Sequence, residues 1–184
     1  RNLIVANDIQ YYSEIFGRAL ISNKSCLNLR SQCAKDFSDL KPQNFLNSWF
    51  VKTYGDTYFS KAQCAEIAAI RSQISEISNR DAKYLYLSVL ANAMSLCQSS
   101  SGHFAQYFPK DLPRLKSLRA MSVFKALMQR CEEIEAIDGR FQNLVTRMEV
   151  SEIFNTKQVL DVASAGSLAY LDPPYSSAQY SRYY

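Results

Sequence analysis

The sequence carries a distinctive segment near its end, from which the first expectations about the fold follow: Leu168-Ala169-Tyr170-Leu171-Asp172-Pro173-Pro174-Tyr175. Its apolar run is too short for a helix and predicts a buried strand. Pro173 has no backbone N–H to donate to a sheet, so the strand is predicted to end at or near Asp172. The sequence therefore predicts a rigid loop at the carboxyl end of a strand, where open α/β sheets bind their ligands.

The composition is typical of a soluble, globular protein with a sizeable core. Of the 184 residues, 47% are hydrophobic and 21% are charged. No apolar run approaches the roughly 18 residues that a membrane-spanning helix needs, so no membrane partner is expected. The five cysteines form no C-x-x-C pair and the single histidine, His103, has no cysteine near it. This pattern predicts free thiols in a reducing cytoplasm and no metal site.

The start of the chain predicts a strand, an acid and a helix. Leu3 to Ala6 form an apolar run, Asp8 follows it, and helical spacing of apolar residues extends from about Ile9 to Ile21. In nucleotide-binding βα units an acid at this place accepts hydrogen bonds from both ribose hydroxyls. Asp is also a favourable helix N-cap, and the sequence weighs the two roles equally.

The middle of the chain is predicted to be mainly helical. Residues 23–59 suggest loops and short helical pieces rich in aromatic residues, and three longer helices follow them. After these helices, Phe141 to Met148 regain strand character, and Glu149 would then be an acid at a strand end. The predicted helices are one that Ser60 caps and that reaches Ile77, one from about Ala82 to Cys97, and one from about Leu118 to Glu135.

A segment between the second and third of these helices combines aromatic and basic residues. Such a mixture suits a nucleic-acid backbone and unstacked bases, and the net charge of +4 permits a polyanionic partner. A flexible loop before a solvated helix start is an equally good interpretation of the same residues. The candidate nucleic-acid contacts are His103, Tyr107, Lys110, Arg114, Lys116 and Arg119.

Asp172-Pro173-Pro174-Tyr175 resembles the catalytic motif of amino-group DNA methyltransferases. Together with Gln179 and Tyr180 it is similar to a subset of the N6-adenine DNA methylases. Two further segments resemble the same family: Val5 to Ile9 its second motif, and Gly102 to Tyr107 part of its inserted region. The resemblance therefore touches both ends and the middle of the chain.

The resemblance implies an α/β fold, a partial Rossmann-like S-adenosylmethionine-dependent methyltransferase sheet with a large, mainly helical insertion. Residues 1–40 and 140–184 would belong to the catalytic domain, and 41–139 would be the insert that recognises the target. The implied partner is double-stranded DNA, with a cognate restriction enzyme as a further candidate. Asp172, Pro173, Pro174 and Tyr175 would act on the adenine amine, Gln179 and Tyr180 would contact DNA, and Asp8, Ile9, Glu149, Val150 and Asp172 would contact S-adenosylmethionine.

One feature of the family is absent from the sequence. Its glycine-rich cofactor loop should precede Leu3, and no G-x-G occurs anywhere. We therefore expect a segment of a longer protein that binds the cofactor weakly or not at all by itself and is inactive alone. The alternatives are methylation of a cytosine amine or of RNA, a non-catalytic methylase-like DNA-binding protein, and a motif that is only a rigid turn.

Overall fold

The computed structural model describes residues 3–23, 29–101, 106–134, 143–164 and 168–171. The chain divides into two compact units, one of residues 1–24 with 136–184 and one of residues 25–135. The first unit contains β1 (Val5–Asn7), α1 (Tyr11–Leu20), β2 (Leu144–Thr146), α8 (Val150–Ile153) and α9 (Lys157–Ser164). The second contains α2 (Leu29–Asp36), a 3-10 helix (Pro42–Phe45), α3 (Trp49–Tyr54), α4 (Lys61–Glu76), α5 (Arg80–Cys97), α6 (Pro113–Ala120) and α7 (Val123–Glu133).

In the first unit, β1 and β2 pair in parallel, although some 135 residues separate them in sequence. Val5 is opposite Leu144 and Asn7 is opposite Thr146. Helix α1 lies close to β2 because Gly17 has no side chain: a Cβ there would come within 2.8 Å of a Val145 methyl group. The predicted strand–acid–helix order is confirmed, although β1 starts two residues later and ends one residue later than expected, and α1 is shorter at both ends.

The second unit has its core between α4, α5 and α7, and the two central helices follow the sequence prediction. Ser60 caps α4 in a capping box with Gln63, whose side chain accepts from the Ser60 N–H at 2.9 Å. Ile67, Ile70 and Ile74 are buried along one stripe of α4, and eight of the 18 residues of α5 are buried. The cysteines that the structure describes are free, as predicted, and they are buried.

The prediction of a third long helix from Leu118 to Glu135 is wrong. The helical conformation is interrupted at Met121 and Ser122, and two helices, α6 and α7, take the place of the predicted one. Ser122 starts α7 because its hydroxyl accepts from the Lys125 N–H at 3.2 Å. Met121, which lay on the predicted apolar stripe, is 40% exposed at the break.

The predicted buried strand from Leu168 to Leu171 is also contradicted. These residues have no strand conformation, and Leu168 is 97% exposed. An apolar run becomes a strand only where a neighbouring strand offers pairing groups, and no hydrogen bond joins residues 168–171 to any described residue. The described part of the chain holds one sheet of two strands.

The described residues contain neither a membrane-spanning helix nor a cluster of metal ligands. None of their helices is long and apolar enough to cross a membrane. Nor do the Cys, Asp and Glu side chains of these residues form a group of three that could hold a metal ion. The assignment of 1–40 and 140–184 to catalysis and of 41–139 to recognition stays a prediction.

Candidate functional site

Two acidic residues follow the two paired strands. Asp8 comes directly after β1, and its N–H donates to the Thr146 carbonyl at 3.4 Å, which extends the pairing by one residue. Glu149 follows β2 after two residues and is the N-cap of α8. Because the strands are parallel, both acids lie at the same edge of the sheet, where parallel sheets place their ligand sites. Both side chains are exposed.

The Asp8 carboxylate shapes the turn into α1. Its Oδ1 accepts from the Gln10 N–H at 2.8 Å, the pattern of an Asx turn. The N-cap of α1 is Gln10, so the alternative that Asp8 caps the helix is wrong. The turn holds the carboxylate at the strand end, and within the described residues Oδ2 has no hydrogen bond.

Asn7 joins the two loops at this edge, and the sequence prediction missed it. Its Oδ1 accepts from the Thr146 hydroxyl at 2.8 Å and from the Met148 N–H at 3.2 Å. Its amide donates to the Met148 carbonyl at 3.0 Å. The Asn7 side chain thus fixes the backbone between β2 and Glu149 next to the end of β1, where Asp8 follows. The available sequence signal was an Asn at the end of an apolar strand, where Asn is unfavourable.

Apolar side chains border the two acids. Ile9 and Val150 are each 58% exposed. Exposed aliphatic side chains beside a strand-end carboxylate can contact a planar base while the carboxylate binds its sugar. The adenosine half of S-adenosylmethionine therefore fits the residues at this edge. For its methionine half, the described residues include no glycine-rich loop.

Behind the edge, α1 is tied to the segment that follows β2. Glu14 is largely buried, and its carboxylate accepts from Arg18 Nε at 2.7 Å and lies 3.5 Å from Arg147 Nε. The Arg147 guanidinium also covers the Tyr11 ring at 5.3 Å from its centroid. Burial makes a carboxylate costly unless it is paired, so these contacts restrict how α1 can sit on the sheet.

The candidate DNA contacts of the second unit divide into two groups. Tyr107, Lys110, Arg114 and Lys116 are exposed, so their polar or aromatic groups can reach a partner. Arg119 has a structural contact instead: its Nη2 donates to the Asp56 carbonyl at 2.7 Å. Its part in DNA binding stays a prediction, and this hydrogen bond to the Asp56 backbone favours a structural role for Arg119.

The remaining predicted site residues lie outside the described residues. They are His103, Asp172, Pro173, Pro174, Tyr175, Gln179 and Tyr180.

Comparison with known proteins agrees with the sequence resemblance. The chain is 23% identical over 189 residues to "Type II methyltransferase M.NlaIII" of Neisseria lactamica, which covers 98% of this chain and 52% of that protein. It is 25% identical over 185 residues to "Type II methyltransferase M2.HphI" of Haemophilus parahaemolyticus, with 94% of this chain and 52% of that protein covered. The chain thus spans about half the length of the curated relatives it matches. No solved structure matches it.

A family match covers nearly the whole chain. The model for the D12 class N6 adenine-specific DNA methyltransferase matches residues 2–184. That span includes the sheet edge with Asp8 and Glu149, the second unit of residues 25–135 (the helical unit) and the Asp172–Tyr175 motif. The family implies an S-adenosylmethionine-dependent methyltransferase fold. The chain belongs to the D12 class of N6 adenine-specific DNA methyltransferases.

Proposed function

We propose that the protein carrying this chain transfers a methyl group from S-adenosylmethionine to the N6 amine of a flipped-out adenine in double-stranded DNA. The observation that carries the proposal is the D12-class match from residue 2 to residue 184. Within it, the parallel pair β1 and β2 would be part of a larger Rossmann-like sheet. The mainly helical residues 41–139 would be its target-recognition insert.

The cofactor would bind at the edge that follows β1 and β2. Asp8 would accept hydrogen bonds from the ribose hydroxyls, since the Asx turn already holds its carboxylate at the strand end. Ile9, Glu149 and Val150 would line the adenine. The exposure of both aliphatic side chains supports this arrangement. S-adenosylmethionine, when bound, supplies an electrophilic methyl group on a sulfonium sulfur.

The catalytic residues would be those of the Asp172–Tyr175 motif. The adenine amine is a poor nucleophile because its lone pair is delocalised into the ring. By the family resemblance, the Asp172 carboxylate and the Pro173 carbonyl would accept hydrogen bonds from the amine. These acceptors localise the lone pair and stabilise the positive charge that develops on nitrogen. Pro174 would keep the loop rigid, and Tyr175 would stack on the extruded base and offset part of the stacking it has lost.

DNA would contact both the insert and the end of the chain. Exposed Lys110, Arg114 and Lys116 would neutralise phosphates. This electrostatic contribution to DNA affinity weakens as salt is added. His103, Tyr107, Gln179 and Tyr180 would contact the DNA close to the target. A cytoplasmic location and a cognate restriction enzyme complete the proposal, and the type II names of the two relatives support the latter.

The decisive experiment measures methyl transfer and identifies the product. The protein carrying this chain is incubated with duplex DNA and S-adenosylmethionine labelled in its methyl group, and the nucleosides are analysed by mass spectrometry. We expect N6-methyladenine, and we expect Asp172→Ala to lower the rate by about a hundredfold or more. The matched control is Asp39→Ala, which removes an exposed carboxylate of the helical unit.

Three results would contradict the proposal. If the product is N4-methylcytosine, the methylated amine is that of cytosine and not that of adenine. Labelled DNA that forms at the same rate with Asp172→Ala would remove the motif from catalysis. DNA binding without transfer in every preparation would identify a non-catalytic methylase-like protein.

Cofactor binding by the 184-residue chain alone is a separate expectation. The described residues fit adenosine but offer no cradle for the methionine half, so we expect weak or absent binding by calorimetry. Micromolar affinity for S-adenosylmethionine would show that the edge after β1 and β2 suffices.

A further inference from the structure

Five aromatic rings of the helical unit form a continuous row. The Trp49 and Tyr54 centroids are 5.8 Å apart and edge-on, and Phe50 lies 4.9 Å from Tyr54. Tyr58 continues the row at 6.5 Å from Tyr54, and Tyr107 lies 5.7 Å from Tyr58 with the rings at 89°. We call these five residues the aromatic row. It joins α3 to the segment that precedes α6.

The two ends of the aromatic row are open to solvent. Trp49 is 69% exposed and Tyr107 is 49% exposed, whereas the rings between them are half-buried. An aromatic cluster that served only the core would bury its largest ring. A connected set of aromatic faces with exposed ends is instead typical of a surface that binds a partner.

The backbone that carries the row is rigid. At the turn between Tyr54 and Tyr58, Asp56 has a positive φ of 62° and its N–H donates to the Phe59 carbonyl at 2.7 Å. The Tyr58 carbonyl accepts from the Ser99 N–H at 2.7 Å, which anchors the turn to the end of α5. The row is therefore preformed, and a partner does not have to pay for ordering it.

Positive charge lies beside the row. The segment from Tyr107 to Arg119 contacts the turn at both ends, through the Tyr107 ring on Tyr58 and the Arg119 guanidinium on the Asp56 carbonyl. Between these anchors lie three exposed cations and a single acid. Residues 25–135 hold 14 Lys and Arg against 10 Asp and Glu, and the rest of the chain has seven of each. The exposed cations are Lys110, Arg114 and Lys116.

We propose that the aromatic row is a stacking surface for unpaired nucleotides of the DNA substrate, with the cations that precede and begin α6 on the phosphates. Bases stack on exposed aromatic faces whatever their sequence, and cations beside those faces follow the backbone. The inference rests on the proposed function in that an enzyme that extrudes a base leaves nucleotides unstacked around it. It adds a binding surface of the helical unit that needs neither the cofactor nor an adenine.

The first test uses the fact that Trp49 is the single tryptophan of the chain. Its fluorescence is followed while the 184-residue chain is titrated with oligothymidylate, which contains no adenine, in the absence of S-adenosylmethionine. We expect saturable quenching, with an affinity that falls as salt is added because phosphate contacts release counterions. Unchanged Trp49 fluorescence at a saturating concentration of the oligonucleotide overturns the proposal.

The second test compares variants by the anisotropy of labelled oligothymidylate. Trp49→Ala and Tyr107→Ala should each weaken binding by about tenfold or more, since each removes a stacking face. Trp49→Phe, which keeps an aromatic face, should stay within about threefold of the unmodified chain. The matched control is Leu46→Ala, an exposed apolar side chain three residues before Trp49, which should bind normally. Equal affinities for all four variants overturn the proposal.

These outcomes are distinct from failure of the proposed function. Oligothymidylate cannot be methylated on an adenine, so its binding is independent of catalysis. Methyl transfer that depends on Asp172, combined with no loss of oligothymidylate binding in Trp49→Ala and Tyr107→Ala, would reject the aromatic row and keep the methylase. The quenching test uses the unmodified chain, so it remains valid where a substitution disturbs folding.

Discussion

At the residue scale, Asn7 connects the two strands with the two acids at the candidate cofactor edge. Its three hydrogen bonds, of 2.8, 3.2 and 3.0 Å, join the end of β1 to Thr146 and Met148. Neither strand is longer than three residues, so backbone pairing alone gives the loops that follow little stability. Asn7 is therefore a positioning residue for the segments that carry Asp8 and Glu149.

We predict that Asn7→Ala lowers the free energy of unfolding by about 1–3 kcal/mol, because it leaves the half-buried backbone N–H and carbonyl of Met148 without their partner. The Thr146 hydroxyl loses its shorter hydrogen bond and keeps the Ala6 carbonyl at 3.4 Å. Urea unfolding measures the change. The control is Asn155→Ala, whose amide donates to the Ser151 carbonyl in an exposed turn and which should change stability by less than about 0.5 kcal/mol. Equal losses in the two variants would show that Asn7 does not hold the edge together.

The difference between Asp8 and Asn7 shows which parts of this site can be predicted from the sequence. Asp8 was predictable because a strand-end acid before a helical pattern is a local signal. The role of Asn7 depends on Met148, which lies 141 positions away in sequence, and on the register of β1 with β2. Long-range register is not encoded in any short window, so this contact could not be predicted.

At the scale of elements, the break between α6 and α7 depends on α4. Glu66 Oε2 accepts from the Ser122 hydroxyl at 3.1 Å and from the Phe124 N–H at 3.0 Å. The buried Gln63 amide donates to the Leu118 carbonyl at 2.7 Å. These side chains satisfy the free backbone groups at the end of α6 and the start of α7. The break is thus stabilised from outside the two helices.

We predict that Glu66→Ala destabilises the start of α7. It removes an acceptor from two donors, so the free energy of unfolding should fall by about 1–3 kcal/mol. Amide hydrogen exchange should accelerate at Phe124 and Lys125. Glu76→Ala, on the same helix but exposed, is the control. Unchanged exchange at the start of α7 in Glu66→Ala would contradict this account.

The contrast between local signals and long-range contacts explains why some elements were predicted correctly and others were not. The stripe of Ile67, Ile70 and Ile74 and the Ser60 cap are local, and α4 follows them. The apolar spacing beyond Leu118 also looked helical, yet Glu66 supplies an alternative partner at Ser122 that local spacing cannot show. The run from Leu168 to Leu171 has strand composition, but a strand needs a partner, and pairing is a property of the sheet.

At the scale of the whole molecule, the stability of the helical unit depends on thiols that must remain neutral. Burial, and then the charge of Asp56, raises the pKa of Cys64 to about 11. Burial, and then the charge of Glu66, raises the pKa of Cys97 to about 11. The neighbouring Cys131 thiol and burial raise the pKa of Cys33, and burial with the Asp36 hydrogen bond raises that of Tyr86.

We predict that the free energy of unfolding falls as the pH rises from 9 towards 11. In the unfolded chain these thiols ionise near their ordinary pKa of 9.0, whereas the folded chain keeps the protons of Cys64 and Cys97 up to about pH 11. The folded state then binds more protons than the unfolded state, so each unit of pH costs stability, and below pH 9 the contribution is complete. Urea unfolding at pH 8, 9, 10 and 11 measures the slope.

The matched variant for this pH dependence is the double substitution Cys64→Ala with Cys97→Ala. At pH 8 its free energy of unfolding should be lower than that of the unmodified chain, since removal of the two buried sulfur atoms leaves small cavities. Its stability should fall less steeply between pH 9 and 11, because two of the protons that distinguish the folded from the unfolded chain are gone. The difference in slope isolates the thiols from the tyrosines and lysines that titrate in the same range. Parallel slopes in the variant and the unmodified chain would mean that both thiols ionise as readily in the folded core as in water.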